Sequence, residues 1–406
     1  MLRKLYYIII SFLVKKNKLQ FVLFFLNINP KRKGKYTIIK VLDIDNEIQQ
    51  SNIYSKESWK KKVDVFSNTG SVVSQHIFSS HVICFKGFKI FSQSSFLFSK
   101  DEKVAYINMA NPNDPNCIYT TTEIVYLNSN NSLGIFRKIT NEKLDFDKAV
   151  NFVGKASSNY YHLLTEILTK FYFLNKVDEY FNYPIAIDEL VMEIPQFRRL
   201  IELLNTRKQN IILIKKDKEY SFQDLIFISD GARMAQEFFN TTNFTSSNCI
   251  FQDEAIFYIR DKILASYLKS NNAHNKKIFI GRRTSDNRKT NEEELWQIAK
   301  KFGFERIFPE ELTIDQQVEI FSNCDFVIGN SGAGLSNIIF MQASSSVFYW
   351  ISGHNNQFNF FSSLASLVKC NISFISGNAT NRFNLQSAFK VDSELFDFEL
   401  RKVLKL

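Results

Sequence analysis

From residue 276 onward, short apolar runs alternate with amphipathic stretches. KIFIG (277–281), FERIF (304–308), DFVIG (325–329), SVFYWI (346–351) and NISFI (371–375) read as strands with apolar positions on both faces. Between them, NEEELWQIAKKFG (291–303) has helical spacing, with Asn291 as N-cap and Glu294 three residues on completing a capping box. Thr313 with Gln316 caps another helix through Asn323. Continuous apolar strands separated by amphipathic helices predict a parallel sheet covered on both faces, a Rossmann-like domain over 271–406.

Upstream, the alternation is looser but of the same kind. AVNFVG (149–154), NIILI (210–214) and DLIFIS (224–229) read as strands. NYYHLLTEILTKFYFLNKV (159–177), PQFRRLIELLN (195–205) and DEAIFYIRDKILASYLKS (253–270) read as helices, giving a second Rossmann-like domain over 149–270. Residues 1–148 are different. HVICFKGFKIF (81–91), KVAYINM (103–109) and TEIVYLN (122–128) are short β-branched and aromatic runs, with NPNDPN (111–116) as a turn, so this region is expected to be β-rich.

The N-terminus carries two apolar runs, Leu5–Val14 and Leu19–Ile28, each about half the roughly 20 residues of a spanning helix. Joining them would bury Lys15, Lys16 and Lys18 in the bilayer, at about 2.5–3.5 kcal/mol apiece. No small-residue cleavage site follows residue 14. Buried elements of the fold are favoured over a basic, apolar patch lying on a membrane face.

Composition changes the picture only modestly. With 45% hydrophobic residues in 406, the chain has enough apolar mass for one large or two medium cores. The 51 basic against 41 acidic residues leave a formal charge of +10, which suits anionic partners or simply serves solubility. Basic residues are dispersed and no nucleic-acid motif occurs, so nucleic acid is not an expected partner. Five isolated cysteines (84, 117, 249, 324 and 370) with no CxxC pair point to a reducing compartment without zinc or disulfides. Two DxD strings, Asp43–Asp45 and Asp145–Asp147, follow no long strand of a nucleotide-binding unit and are discounted as metal sites.

Ligands of such sheets bind beyond the carboxyl ends of the strands, and three features fall there. Arg282 and Arg283 follow KIFIG directly, and paired guanidiniums suit a diphosphate. Glu310, in FPEEL (308–312), stands where a carboxylate can accept from ribose hydroxyls, or else complement a helix dipole. In GNSGAGLSNIIFMQ (329–342), Gly332 and Gly334 would let an anion approach the first free N–H groups of a helix. A fourth feature lies upstream: His162 and Glu166 are four apart on one helix face, as a base with its orienting carboxylate or as a plain surface pair.

In this order, the features resemble glycosyltransferase family 61, which includes bacterial capsule and lipopolysaccharide enzymes. The matching stretches are Asn159–Tyr160–Tyr161–His162 with Glu166, IFIGRR (278–283), NEEEL (291–295), GFERIFPEEL (303–312) and GNSGAGLSN (329–337), covering about 150–375. One departure stands out. The family's histidine before Gly-Ala-Gly is Ser331 here, which can hydrogen-bond a phosphate or sugar but cannot act as a base near neutral pH.

The resemblance implies an α/β, GT-B-like fold, with two Rossmann-like domains facing across a cleft. It implies inverting transfer from a nucleotide sugar, with UDP the expected carrier, to a capsule or lipopolysaccharide glycan, without cofactor or bound metal. By the same resemblance Arg282, Arg283, Glu310, Ser331, Gly332, Ala333, Gly334 and Asn337 would hold the donor. Asn159 would lie on the acceptor side, and His162 with Glu166 would act on the acceptor hydroxyl. Such an enzyme is expected in the cytoplasm, with peripheral contact to the anionic inner membrane face left open. Two rivals stand beside it: another GT-B-like surface-glycan transferase, such as a pyruvyl transferase, and a catalytically impaired member that acts as a binding partner.

Overall fold

The protein is described by a computed structural model. It covers residues 9–10, 12–13, 16, 18, 21–22, 36–51, 53–109, 117–118, 121–128, 132–234, 237–238, 246, 249–267, 276–283, 288–353, 359–380 and 387–406. The expected turn at 111–116 lies outside them. Among the described residues, no helix is long and apolar enough to cross a membrane. Most of the two N-terminal apolar runs is likewise outside, but Ile10 and Val22 are fully buried in a cluster with Tyr36, Tyr126 and Ile135.

Two α/β sheets organise the chain. In the second, strand order is Glu305–Ile307, Lys276–Ile280, Cys324–Asn330, Ser346–Ser352, Asn371–Ala379 and Phe389–Lys390. The first five are parallel and the last is antiparallel. Numbered along the chain the parallel strands run 2-1-3-4-5, so the order reverses between Lys276–Ile280 and Cys324–Asn330. That reversal opens a crevice at their carboxyl ends.

The first sheet has 11 strands. Its parallel part runs Ile211–Ile214, Ile185–Asp188, Lys143–Asn151 and Glu219–Ile228, an order of 3-2-1-4 that reverses between the last two. From Glu219–Ile228 the sheet continues without a break, through the antiparallel 19-residue strand Val72–Ile90, into the β-rich N-terminal strands. Several strands outrun their apolar cores, such as Lys143–Asn151 and Glu219–Ile228, because ladder hydrogen bonds extend into polar residues that pattern alone reads as loop.

Local chemistry explains three departures from expectation. The helix expected over 159–177 is helical at Tyr160–His162 and Lys170–Leu174 but widens to a π-turn at Leu163–Ile167, closed by Leu168 N–H donating to the Leu163 carbonyl at 2.9 Å. Hydroxyls take the freed carbonyls: Thr165 Oγ1 donates to Tyr161 O (2.8 Å) and Thr169 Oγ1 to Glu166 O (2.7 Å). Single π-turns recur at functional sites. The segment after the glycine turn, Ala333–Phe340, is a 3-10 helix. Finally, Asn291 begins its helix without a capping box, since its amide exchanges two 3.0 Å hydrogen bonds with Val391. Thr313 and Gln316 do form theirs.

The sheets share one hydrophobic core. Ile256, Ile259 and Ile263 of the Asp253–Tyr267 helix continue into Leu335, Ile338 and Ile339 of the 3-10 segment. Arg260 ties off the end of that segment, donating Nε to Ile339 O (2.8 Å) and Nη2 to Met341 O (3.1 Å).

Candidate functional site

A cavity of about 440 Å³ opens between the two sheets at the order reversal of the second. One wall is Ser158, Asn159, Tyr160, Gln196 and Phe197; the other is Arg282, Glu310, Gln317, Asn330 and Gly332–Gly334. Asn159 sits there because it caps the helix start, its Oδ1 accepting from Tyr161 N–H at 2.9 Å. Tyr160, one residue on, stacks its ring on Phe197 at 5.8 Å and 15°.

The two arginines of the sequence motif part company. Arg282 lines the cavity and is partly buried, and its backbone N–H donates to Glu292 Oε1 at 3.2 Å. Burial draws its guanidinium below the ordinary arginine value, while Glu292 and Glu310 oppose the shift. Arg283 lies outside the lining. It pairs with Glu311 (Nε to Oε1, 2.7 Å) and stacks over Phe308 at 3.6 Å. Its backbone N–H donates to Glu310 Oε1 at 3.0 Å and so fixes that carboxylate at the rim.

Arg288 is a cation that motif reading overlooked. Burial pushes it down to about 10, and the like charge of Arg282 adds to the shift. Among the described residues its Nε is buried without a hydrogen-bond partner, and its carbonyl accepts from Asn330 Nδ2 at 3.1 Å. A second orphan lies at the cavity wall: among the described residues Asn330 Oδ1 also has no partner. Two partly desolvated guanidiniums whose fields overlap at a strand-end crevice favour an anion between them.

The glycine turn divides its tasks. A Cβ on Gly332 would find nothing nearer than Arg282 Cζ and Asn330 O, both at 3.8 Å, so the backbone there faces open cavity. A Cβ on Gly334 would press Ile280 at 3.3 Å and Pro309 at 3.4 Å, so this position serves close packing. Ala333 lines the cavity. Ser331 is buried outside the lining, its N–H donating to Trp350 O at 2.9 Å. Asn337 is fully buried, with its amide shared among Tyr160, Gln317 and the Gly334 carbonyl.

His162 and Glu166 are brought together but not into the cavity lining. Nδ1 lies 3.2 Å from Glu166 Oε2, an ion-pair distance without hydrogen-bond alignment. Burial raises the Glu166 pKa; His162 counters it, Asp230 adds to it and Lys170 counters it. Lys170, eight residues after His162, completes a polar ladder: its Nζ meets Asp230 Oδ1 (3.2 Å) and donates to Asn151 O (3.3 Å). The ladder thus stands where the first sheet reverses its strand order. Lys170 and Asp230 escaped sequence reading, although the 162-166-170 spacing was visible. The discounted aspartates have other partners: Asp43 caps a helix and Asp45 pairs with Arg233. Asp145 and Asp147 meet Lys100 and Gln223.

The model of the family described as Glycosyltransferase 61 matches residues 160–348, somewhat under half of the chain. Over that stretch, which carries most of both cavity walls, the chain is similar to sugar-transferring enzymes at the level of the family. No curated protein matches the chain.

Proposed function

We propose that this protein is a glycosyltransferase of GT-B type that moves a sugar from a nucleotide sugar, UDP-linked, to a surface-glycan acceptor with inversion. The observation that carries the reading is Arg282, with Arg288 behind it, at the reversal point of the second sheet. Cations held there before reaction can stabilise the charge that grows on a leaving diphosphate. In the transfer, the acceptor oxygen bonds to the anomeric carbon as the bond from that carbon to the diphosphate oxygen breaks, and the diphosphate keeps the electron pair. The acceptor proton passes to a base, for which His162, oriented by Glu166, is the proposed group. Glu310 would receive ribose hydroxyls at the rim. The work would be done in the cytoplasm, where nucleotide sugars are available, at or near the inner membrane face.

Calorimetric titration with UDP, GDP and CMP, with and without magnesium, tests the donor side. Binding of one nucleotide that is lost in Arg282→Ala supports the assignment. Undiminished binding by that variant would overturn the diphosphate site, and no binding at all would favour a transferase with a nucleotide-free donor, such as a pyruvyl transferase. A second reading, nucleotide binding without turnover, draws on buried Ser331 and on His162 lying outside the cavity lining. Slow hydrolysis of the matching nucleotide sugar would argue against it.

A further inference from the structure

Lys170 shares a helix face with His162 and Glu166 because of the π-turn. In an unbroken α-helix a residue eight places on would point about 80° away from His162. The π-turn at Leu163–Ile167 takes up one residue, and Lys170 returns to the face that carries the pair. Both ends of the Lys170–Asp230 contact are fixed. Lys170 is 2% exposed, and besides Asp230 Oδ1 at 3.2 Å its Nζ meets the carbonyls of Asn151 (3.3 Å) and Val153 (3.5 Å) at the end of the strand Lys143–Asn151. Asp230 follows the neighbouring strand, and the residues on either side of it are tied down. Ser229 N–H donates to His81 O at 3.0 Å, and Gly231 N–H to Thr169 Oγ1 at 2.9 Å. A Cβ on Gly231 would lie 2.5 Å from Thr169 Cβ, so this turn is pressed onto the helix. The Asp230 side chain is 32% exposed and connects the ladder with solvent.

Among the described residues, the groups that act on Glu166 are His162, Lys170 and Tyr161 on its own helix, Asp230 after the strand Glu219–Ile228, and Cys249 on the strand Cys249–Phe251. Burial keeps the Tyr161 hydroxyl and the Cys249 thiol neutral, the thiol pushed up to about 12. One ammonium therefore stands against two carboxylates, and a proton arriving on His162 balances the cluster. Burial tightens the hold of Glu166 on its proton; Asp230 adds to that hold and Lys170 counters it. His162 Nδ1 and Glu166 Oε2, 3.2 Å apart, take up protons as a pair.

We propose that Lys170, seated on Asp230, is a positioning residue for the transfer: it sets how tightly the His162–Glu166 pair holds a proton. The proposal rests on the sugar-transfer reading and deepens it. As the acceptor oxygen bonds to the anomeric carbon, its proton passes to the pair, which returns it to solvent before the next turnover. A more tightly held proton would leave the pair occupied and unable to act as a base.

The two partners carry opposite charge, so their substitutions should act in opposite directions. Lys170→Met removes a cation and strengthens the pair's hold on its proton; Asp230→Asn removes an anion and weakens it. NMR titration of the full chain, labelled at its five histidines and with His162 assigned through His162→Gln, reads proton uptake without any substrate. Relative to wild type, the midpoint should rise by about one pH unit in Lys170→Met and fall in Asp230→Asn. The ascending limb of the pH–rate profile for hydrolysis of UDP-glucose, UDP-N-acetylglucosamine or GDP-mannose, whichever turns over, should move the same way. A purely structural pair would lower the rate and move neither midpoint. Unmoved midpoints, displacements of the same sign, or a rate limb that stays in place while the NMR midpoint moves would each overturn the proposal. Asp230→Asn, at a partly exposed side chain, keeps the test open should Lys170→Met not fold. Opposed NMR displacements in a protein that turns over no nucleotide sugar would sink the sugar-transfer reading, and this role with it, while the charge coupling stood.

Discussion

Tyr160 Oη donates to Asn337 Oδ1 at 2.9 Å, joining a helix of the first sheet to the 3-10 segment of the second. Asn337 passes the link on to Gln317 Oε1 at 2.9 Å, and Gln317 Nε2 reaches the Pro309 carbonyl at 2.9 Å. Tyr160, Gln317 and Pro309 all line the 440 Å³ cavity, so this chain holds its two walls at a set separation. Tyr160→Phe keeps the ring on Phe197 but leaves the buried Asn337 oxygen without its donor. It should cost about 1–2 kcal/mol in urea unfolding, and the cavity, with its walls unpinned, should bind nucleotide more weakly.

Arg282 and Arg283 are adjacent in sequence but differ in environment, so their substitutions should separate. Arg282→Ala removes a partly buried cation from the cavity and should lower nucleoside diphosphate affinity by about a hundredfold. Arg283→Ala releases an exposed pair with Glu311 and should change affinity by no more than about threefold, since exposed pairs contribute little. Calorimetry on the two variants side by side checks both. Equal losses would mean that the Arg283 side chain turns inward when ligand binds.

The alternating pattern after residue 276 was sufficient to read the parallel strands and the Thr313–Gln316 capping box, because both depend on residues close in sequence. It could not show the strand order, which is set by long-range pairing. The same limit explains the site. Arg282, Glu310 and Gly332 were legible because each follows a strand end directly. Arg288 carries no local signal, and its role depends on which strands lie side by side. Asn337 fits a motif position, yet packing turns its amide inward to Gln317 and Tyr160. The π-turn at Leu163–Ile167 was hidden because its threonine hydroxyl bonds leave the helical hydrophobic spacing nearly intact.

Glu166 should make stability depend on pH in a defined direction. Burial raises its pKa, so the folded state holds the proton more tightly than the unfolded chain does. The stabilisation from that proton is present at acid pH and is lost as pH rises through the raised value. Glu166→Gln retains the uncharged form at every pH. The variant should therefore gain on the wild type in unfolding free energy as pH rises above the ordinary glutamate range toward neutrality. A difference that stays flat with pH would place Glu166 in contact with solvent and weaken its role in holding His162.

Two glycines at strand ends distinguish packing from ligand approach. At Gly281 a Cβ would meet Phe308 Cε1 at 2.6 Å and Arg306 Nε at 2.8 Å, so Gly281→Ala must shift the Arg306 side chain and the Phe308 ring, two residues before Glu310. Overpacking of this kind costs about 1–3 kcal/mol, and both stability and nucleotide affinity should fall. At Gly332 the backbone is extended, with φ of −179°, and a Cβ meets only Arg282 Cζ and Asn330 O, both at an unstrained contact distance of 3.8 Å. Gly332→Ala should leave the unfolding free energy within about 0.5 kcal/mol of the wild type. If a diphosphate approaches the backbone there, the added methyl group should nonetheless lower nucleotide affinity by about tenfold. Loss of affinity at unchanged stability would locate the ligand against Gly332. Unchanged affinity would move the diphosphate away from the turn and leave Arg282 and Arg288 to hold it without backbone help.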